Sequence, residues 1–214
     1  MPADLFDPPS PQPKSLAELN RMIASASDLG MGDAVPGEGP LHAVVAFVGE
    51  QPGDQEDKEG RPFVGPAGLL LNKAMDEAGI DRAKTYVTNA VKRFRFVQRG
   101  KRRIHSRPTA AEVRHERWWL EKELDFVDPK VTVALGATAV LALAGKPLPV
   151  GANRGPATFE GRPGYITVHP SYLLRMLDPE ARSRAYVDFV KDLRKARDIA
   201  RLSHRGQRRR VAPE

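Results

Sequence analysis

A carboxylate, an imidazole and two side-chain amides stand just beyond three short apolar runs of this sequence. Glu50 and Gln51 follow Ala43-Val-Val-Ala-Phe-Val48 and one glycine, Asn89 ends the run that starts at Thr85, and His169 follows Gly164-Tyr-Ile-Thr-Val168. A carboxylate can hold a developing cation or orient an attacking group. An imidazole can donate to a developing anion or act as a nucleophile. A carboxamide presents a donor and an acceptor side by side, which suits the reading of a planar polar ligand. Each type also has a plainer use: Asn89 as a turn residue, Gln51 as a brace for its own loop, His169 as a side chain satisfied by backbone. Phe63 offers a ring face to a planar ligand or simply fills the core. Asp54 and Asp57 form an acidic stretch that either supports Glu50 or is merely solvated.

Basic residues gather in two further places. Gly100-Lys-Arg-Arg-Ile-His105 puts Lys101, Arg102 and Arg103 before a second imidazole, His105. Ser171 and Arg175 follow His169, with the apolar stretch Tyr172 to Leu174 between them. Both sets suit phosphate, although a basic surface loop is the ordinary alternative for the first.

The elements that must position these groups alternate. Leu16, Leu19, Met22 and Ile23 recur at helical spacing within Ser15 to Ser25. The run ending at Val48 predicts a central strand covered on both faces. A loop rich in Gly, Pro and acids follows, then a helix over Ala67 to Ala78 and a strand over Thr85 to Ala90. Pro108-Thr-Ala-Ala-Glu112 opens a long helix, with Thr109 and Glu112 in capping-box positions, that ends near Asp128-Pro129. A strand over Val131 to Leu135, an Ala-rich helix, a strand over Gly164 to Val168 and a helix from Pro179 to Arg201 complete the order. Alternation of this kind implies an α/β fold of three layers, α/β/α, with a central, mostly parallel twisted sheet. Ligands bind beyond the carboxyl ends of such strands, so the loops at Gly49 to Gly53, Asn89 onward and His169 to Arg175 are expected to converge. The chain divides into a flexible N-terminus over 1–14, one domain over 15–202 and a basic flexible tail over 203–214.

Composition narrows the chemistry. Lys plus Arg number 34 against 27 Asp plus Glu, a formal charge of +7 that favours a polyanionic partner. There is no cysteine, which excludes disulfides, thiolate nucleophiles and thiolate-held zinc or iron-sulfur centres. The histidines form no paired-ligand signature, and neither a Walker loop nor a GxGxxG is present, so no metal and no cofactor is expected. No apolar run approaches the length of a membrane span and no signal peptide opens the chain, so no membrane partner and a soluble, cytoplasmic location are expected. A monomer is the default.

Gly49-Glu-Gln-Pro-Gly-Asp54, Pro62-Phe-Val-Gly-Pro-Ala-Gly68, Thr88-Asn-Ala-Val-Lys92 and His169-Pro-Ser-Tyr-Leu-Leu-Arg175 occur in one order. Over Val45 to Arg175 the chain thereby resembles the uracil-DNA glycosylase superfamily, most closely the branch that carries an iron-sulfur cluster. Within that branch, Gly100 to His105 resembles the extra loop of the X-type glycosylases, which become covalently joined to uracil-containing DNA through its histidine. The branch draws its cluster from four cysteines, and with none here the cluster is expected to be absent, with ordinary packing in its place.

The resemblance implies a base-excision DNA-repair hydrolase that flips uracil out of DNA and cleaves its N-glycosidic bond. It assigns Phe63 to stacking on the flipped base, Asn89 to uracil N3–H and O4, and Gln51 to a second amide contact or to its loop. His169 donates to uracil O2, and Glu50 steadies the cationic sugar or orients the attacking group, with Asp54 and Asp57 in support. Lys101, Arg102, Arg103, Ser171 and Arg175 meet DNA phosphates, and Tyr172 to Leu174 wedges the vacated stack. His105 captures the sugar and stays attached to the abasic product. The alternatives are turnover with water as nucleophile and tight product binding, or a module that binds uracil-containing or abasic DNA without cleaving it.

Overall fold

The computed structural model describes residues 12–26 and 32–210, with side chains as far as Leu202. In chain order the elements are α1 (Leu16–Ser25), β1 (Val45–Gly49), α2 (Asp54–Glu59), α3 (Pro66–Ala78), a 3-10 turn at Arg82–Lys84, and β2 (Thr85–Asn89). Then come β3 (Phe96–Arg99), β4 (Arg102–His105), α4 (Ala110–Val127), β5 (Thr132–Leu135), α5 (Ala137–Ala144) and α6 (Val150–Asn153). β6 (Gly155–Phe159), β7 (Arg162–Thr167), α7 (Pro170–Leu174) and α8 (Pro179–Arg210) close the order. Part of the N-terminal stretch expected to be flexible lies outside the described residues. Part of the stretch expected as a C-terminal tail continues α8, which is helical as far as Arg210.

The main sheet runs β2-β1-β5-β7-β6. Its first four strands are parallel, and β6 pairs antiparallel with β7. Alternation along each strand sorts the core into two layers. Val45, Phe47, Val133 and Tyr165 face α3 and α8, where Leu71, Met75, Phe189 and Leu193 meet them. Ala46, Val48, Ala134 and Ile166 face α4 and α5, against Leu120, Leu124, Val140 and Leu143. Strands buried on both faces have no polar edge to show, which is why they read as unbroken apolar runs. The three-layer α/β/α expectation is met.

Local chemistry explains the boundaries. The Ser15 hydroxyl accepts the Glu18 N–H and starts α1. Thr109 and Glu112 close the expected capping box, the Thr109 N–H donating to Glu112 Oε2 at 2.8 Å. α4 ends at Asp128, in left-handed backbone just before Pro129. The stretch expected to be a loop at Gly100 to His105 is instead one arm of a hairpin. β3 and β4 pair antiparallel from Phe96↔His105 to Arg99↔Arg102, which leaves Gly100 and Lys101 as the turn. Gly100 supplies the positive φ (58°) that such a two-residue turn requires. Among the described residues, no helix is long and apolar enough to cross a membrane.

The layer between the sheet and α4 also holds an ion pair. Lys92 Nζ lies 2.5 Å from Glu123 Oε2 with both side chains almost fully buried. The same ammonium donates to Thr88 Oγ1 and the Asn89 carbonyl, while Glu123 also accepts the Thr88 hydroxyl and the Gly37 N–H. The pair therefore fixes the end of β2, where Asn89 leaves the sheet. Removing one partner strands a buried charge, which costs about 3–5 kcal/mol. Lys92→Met is accordingly expected to lower unfolding free energy by that order in urea titrations, and Lys92→Met with Glu123→Gln to recover part of it. Equal stability of Lys92→Met and wild type would refute the assignment.

Candidate active site

The loops that follow β1, β2 and β7 meet at the carboxyl end of the sheet. They border a cavity of about 320 Å³ whose wall includes Gln51, Asp54, Phe63, Asn89, His105 and His169. The register of the parallel strands makes this convergence: Gly49 lies opposite Asn89, and the N–H groups of Ala90 and Val91 donate to the carbonyls of Gly49 and Glu50.

Gly49 is where β1, the Phe63 loop and Asn89 crowd together. A Cβ there would sit 2.4 Å from Asn89 Oδ1 and 2.8 Å from Phe63 Cζ, so a side chain at this position must displace one or both of them. Phe63 itself is 7% exposed and held at φ 58°, a left-handed conformation costly for an aromatic residue. Its ring is stacked with that of His169, centroids 6.4 Å apart at 27°. Core packing and cavity wall are thus both true of Phe63. Asn89 is 3% exposed, and among the described residues its carboxamide makes no hydrogen bond to protein.

His169 caps α7, and its Nδ1 accepts the Ser171 N–H at 3.1 Å. The Ser171 hydroxyl lies 2.8 Å from the same nitrogen and accepts from Arg175 at 3.1 Å. With Nδ1 an acceptor, the proton of the neutral ring belongs on Nε2. Burial pushes the pKa of this imidazole down to about 4, against the opposing pull of the Glu50 carboxylate.

Glu50 stands between the β1 loop and α5. Thr138 donates to its Oε2 at 2.6 Å, and its Oε1 lies 3.5 Å from His105 Nε2. His105, at the end of β4, is half exposed at 52%. Arg103 holds this hairpin in place. Its Nε donates to Asp54 Oδ1 at 2.6 Å, its Nη1 to Asp57 Oδ2, and its guanidinium lies over the rings of Phe94 and Phe96 at 5.4 and 5.0 Å. Arg103 was expected with Lys101 and Arg102 on phosphate; its donors are instead spent on carboxylates, and only the other two point outward. Gln51 is engaged likewise: its Nε2 donates to the carbonyls of Arg95 and Ser106, and its Oε1 accepts the Arg95 N–H. It ties the β1 loop to the hairpin. Tyr172 and Leu174 are exposed beside the cavity at 49% and 45%, while Leu173 between them is buried.

A family model described as the uracil DNA glycosylase superfamily matches residues 36–194. The chain belongs to the uracil-DNA glycosylase superfamily. A type-4 uracil-DNA glycosylase of Thermotoga maritima is 38% identical over 177 residues, 81% of this chain and 88% of that protein. A type-4 uracil-DNA glycosylase of Pyrobaculum aerophilum is 34% identical over 171 residues, 75% and 80% of the two chains. A type-5 enzyme of the same organism is 31% identical over 160 residues, 66% and 67% of the two chains. An iron-sulfur cluster of the kind carried by the branch this glycosylase-family chain resembles needs thiolates, and with no cysteine in the sequence the residues present do not fit one.

Sequence reasoning missed two residues that brace this candidate site. Thr138 follows β5, so the same strand-end rule that singled out the other loops would have found it. Glu56, buried in α2, accepts the N–H groups of Gly53 and Gly65 and so joins the two loops beside the cavity; it was hidden in an acidic stretch without apolar spacing. The low pKa of His169 has a consequence for stability. The unfolded chain binds a proton near the ordinary imidazole pKa of about 6.5, whereas the folded chain takes one up only near pH 4. This residue's contribution is therefore complete above pH 6.5 and is lost as pH falls towards 4. Denaturant midpoints measured between pH 7 and 4 should fall less steeply for His169→Gln than for wild type; parallel curves would contradict a buried neutral ring.

Proposed function

We propose that this enzyme of the uracil-DNA glycosylase superfamily excises uracil from DNA and captures the resulting abasic sugar through His105, in the manner of the X-type subgroup. The observation that carries the excision reading is the Asn89 carboxamide, buried at the cavity wall with no protein hydrogen-bond partner among the described residues. In the wall of a cavity that carboxamide offers one acceptor and one donor, and a base with an imide edge pairs with both. The amide oxygen accepts uracil N3–H and the amide nitrogen donates to O4; cytosine presents the reverse pattern and leaves both groups unpaired.

The chemistry then follows from the neighbours. Phe63 stacks on the extruded base. As the C1′–N1 bond breaks, its electron pair leaves with uracil as an anion, and His169 Nε2–H donates to O2, where negative charge accumulates. A neutral donor serves this purpose, consistent with the low pKa of the ring. Glu50 steadies the cationic sugar. A lone pair of the His105 ring bonds to C1′, and the proton then lost from the ring passes to Glu50 or solvent. The 3.5 Å separation of Glu50 and His105 supports this order. The same carboxylate, fixed by Thr138, would equally orient a water, so turnover with tight product binding is the second reading. Lys101 and Arg102 at the hairpin tip, with Arg175, suit phosphate, and Tyr172 and Leu174 suit the vacated stack. Abasic DNA is the product partner, and a monomer suffices.

The test divides one incubation with a labelled uracil oligonucleotide between an assay of free uracil and heated denaturing electrophoresis. Release with a heat-stable shifted band is expected from wild type, and His105→Ser should lose the band while still releasing uracil. A band that survives His105→Ser removes the histidine from the capture step. Release with free abasic DNA from wild type establishes turnover, and no release leaves a binding module. His169→Leu is expected to slow release by about 10²–10³-fold.

A further inference from the structure

A second cavity, of about 780 Å³, adjoins the first and shares His105 and His169 with it as a common wall. Its lining combines apolar side chains, among them Leu135, Val150 and Val168, with the guanidinium groups of Arg107, Arg154 and Arg175 and two carboxylates, Glu50 beside Arg107 and Asp188 paired with Lys191. Arg154 lies outside every motif used above. It stands between α6 and β6, and its Nε donates at 2.5 Å to Asp192 Oδ2 on α8.

Asp192 is 6% exposed and collects further donors: the Thr167 hydroxyl at 2.6 Å and the Tyr165 hydroxyl at 3.0 Å. A carboxylate buried in a helix–sheet interface is expensive unless its partners are well placed, and an apolar residue would pack there at less cost. What this carboxylate does is fix a guanidinium. Held through Nε, Arg154 keeps its outer nitrogens for another anion, and the planar fork matches a phosphate in geometry. The Arg154 side chain is 29% exposed, enough to be met from the cavity.

We infer that this second cavity seats the nucleotide next to the flipped uracil, with Arg154 as a ligand of its phosphate and Asp192 as the residue that positions Arg154. This rests on the excision reading above, because the shared wall makes the occupants of the two cavities neighbours on one strand. The apolar lining and Tyr172 receive the adjoining base, and the guanidinium groups receive the backbone. A base seated there has left the helical stack, so a strand unpaired on that side is the better substrate.

The test is single-turnover release of uracil from oligonucleotides bearing one uncharged methylphosphonate linkage, moved step by step along both flanks of the uracil. In wild type, one linkage next to the uracil should raise the half-saturating protein concentration about tenfold, with the limiting rate little changed, as expected for a contact made equally in ground and transition states. Arg154→Met should show the same rise on unmodified DNA, no further rise at that linkage, and a salt dependence weaker by about one phosphate contact. Arg154→Lys should be intermediate. If no linkage matters in wild type, or if linkage and variant effects multiply at every position, the inference is wrong. Where Arg154→Met unfolds, Arg154→Lys carries the variant arm: a reduced effect at that one linkage upholds the inference, and an unchanged effect overturns it. Failure of wild type to release uracil from unmodified DNA would overturn the excision reading instead. Binding of the same oligonucleotides then judges the subsite by the same rule: loss of the linkage effect in Arg154→Met upholds it and persistence overturns it.

Discussion

Steric room at the end of one strand governs the site. β1 and β2 lie in parallel register, and the last residue of each, Gly49 and Asn89, face one another. The missing side chain at Gly49 lets the Asn89 carboxamide and the Phe63 ring both come within contact of the space a Cβ would fill. With a methyl group there, the amide would turn away, the ring would retreat, and His169, which stacks on that ring, would lose its neighbour. The buried Lys92–Glu123 pair acts on the same spot from behind, since Lys92 grips the Asn89 carbonyl. Packing in front and charge behind thus converge on one backbone position.

The sequence was a good guide where burial leaves a simple pattern and a poor one where it does not. The strands of the sheet centre are covered on both faces, so Val45 to Val48 and Val131 to Leu135 stand out as apolar runs. The hairpin does not: β3 and β4 carry arginines on partly or wholly exposed positions, so no alternation marks them. β6 is an antiparallel edge strand containing Gly155 and Pro156, residues that argue against a strand when read alone. At the site, the residue types were legible and their pairings were not. Nothing along the chain links Arg103 to Asp57, or Arg154 to Asp192, because those contacts exist only once the sheet and helices bring distant segments together.

Net charge is a blunt measure here for the same reason. Lys92, Arg103 and Arg154 all count towards +7, yet each is paired with a carboxylate of the fold. The cations that face outward near the cavity are fewer and sit on particular elements: the tip of the hairpin, Arg107 just after it, and the stretch after β7. An electrostatic field made by a handful of placed residues steers a strand towards one face more sharply than a uniformly basic surface would.

The hairpin is not part of the main sheet. It forms a two-stranded unit of its own, joined to the body through the Arg103 contacts and the Gln51 amide. The cavity is walled mainly by loops of the sheet, whereas His105 in its wall belongs to this appended unit. The two are therefore separable in the fold: most of the cavity wall comes from loops of the main sheet, whereas His105 is brought to it by a ribbon that shares no strand pairing with that sheet. A change confined to that ribbon would move the imidazole and leave the strand pairing beneath the cavity as it is.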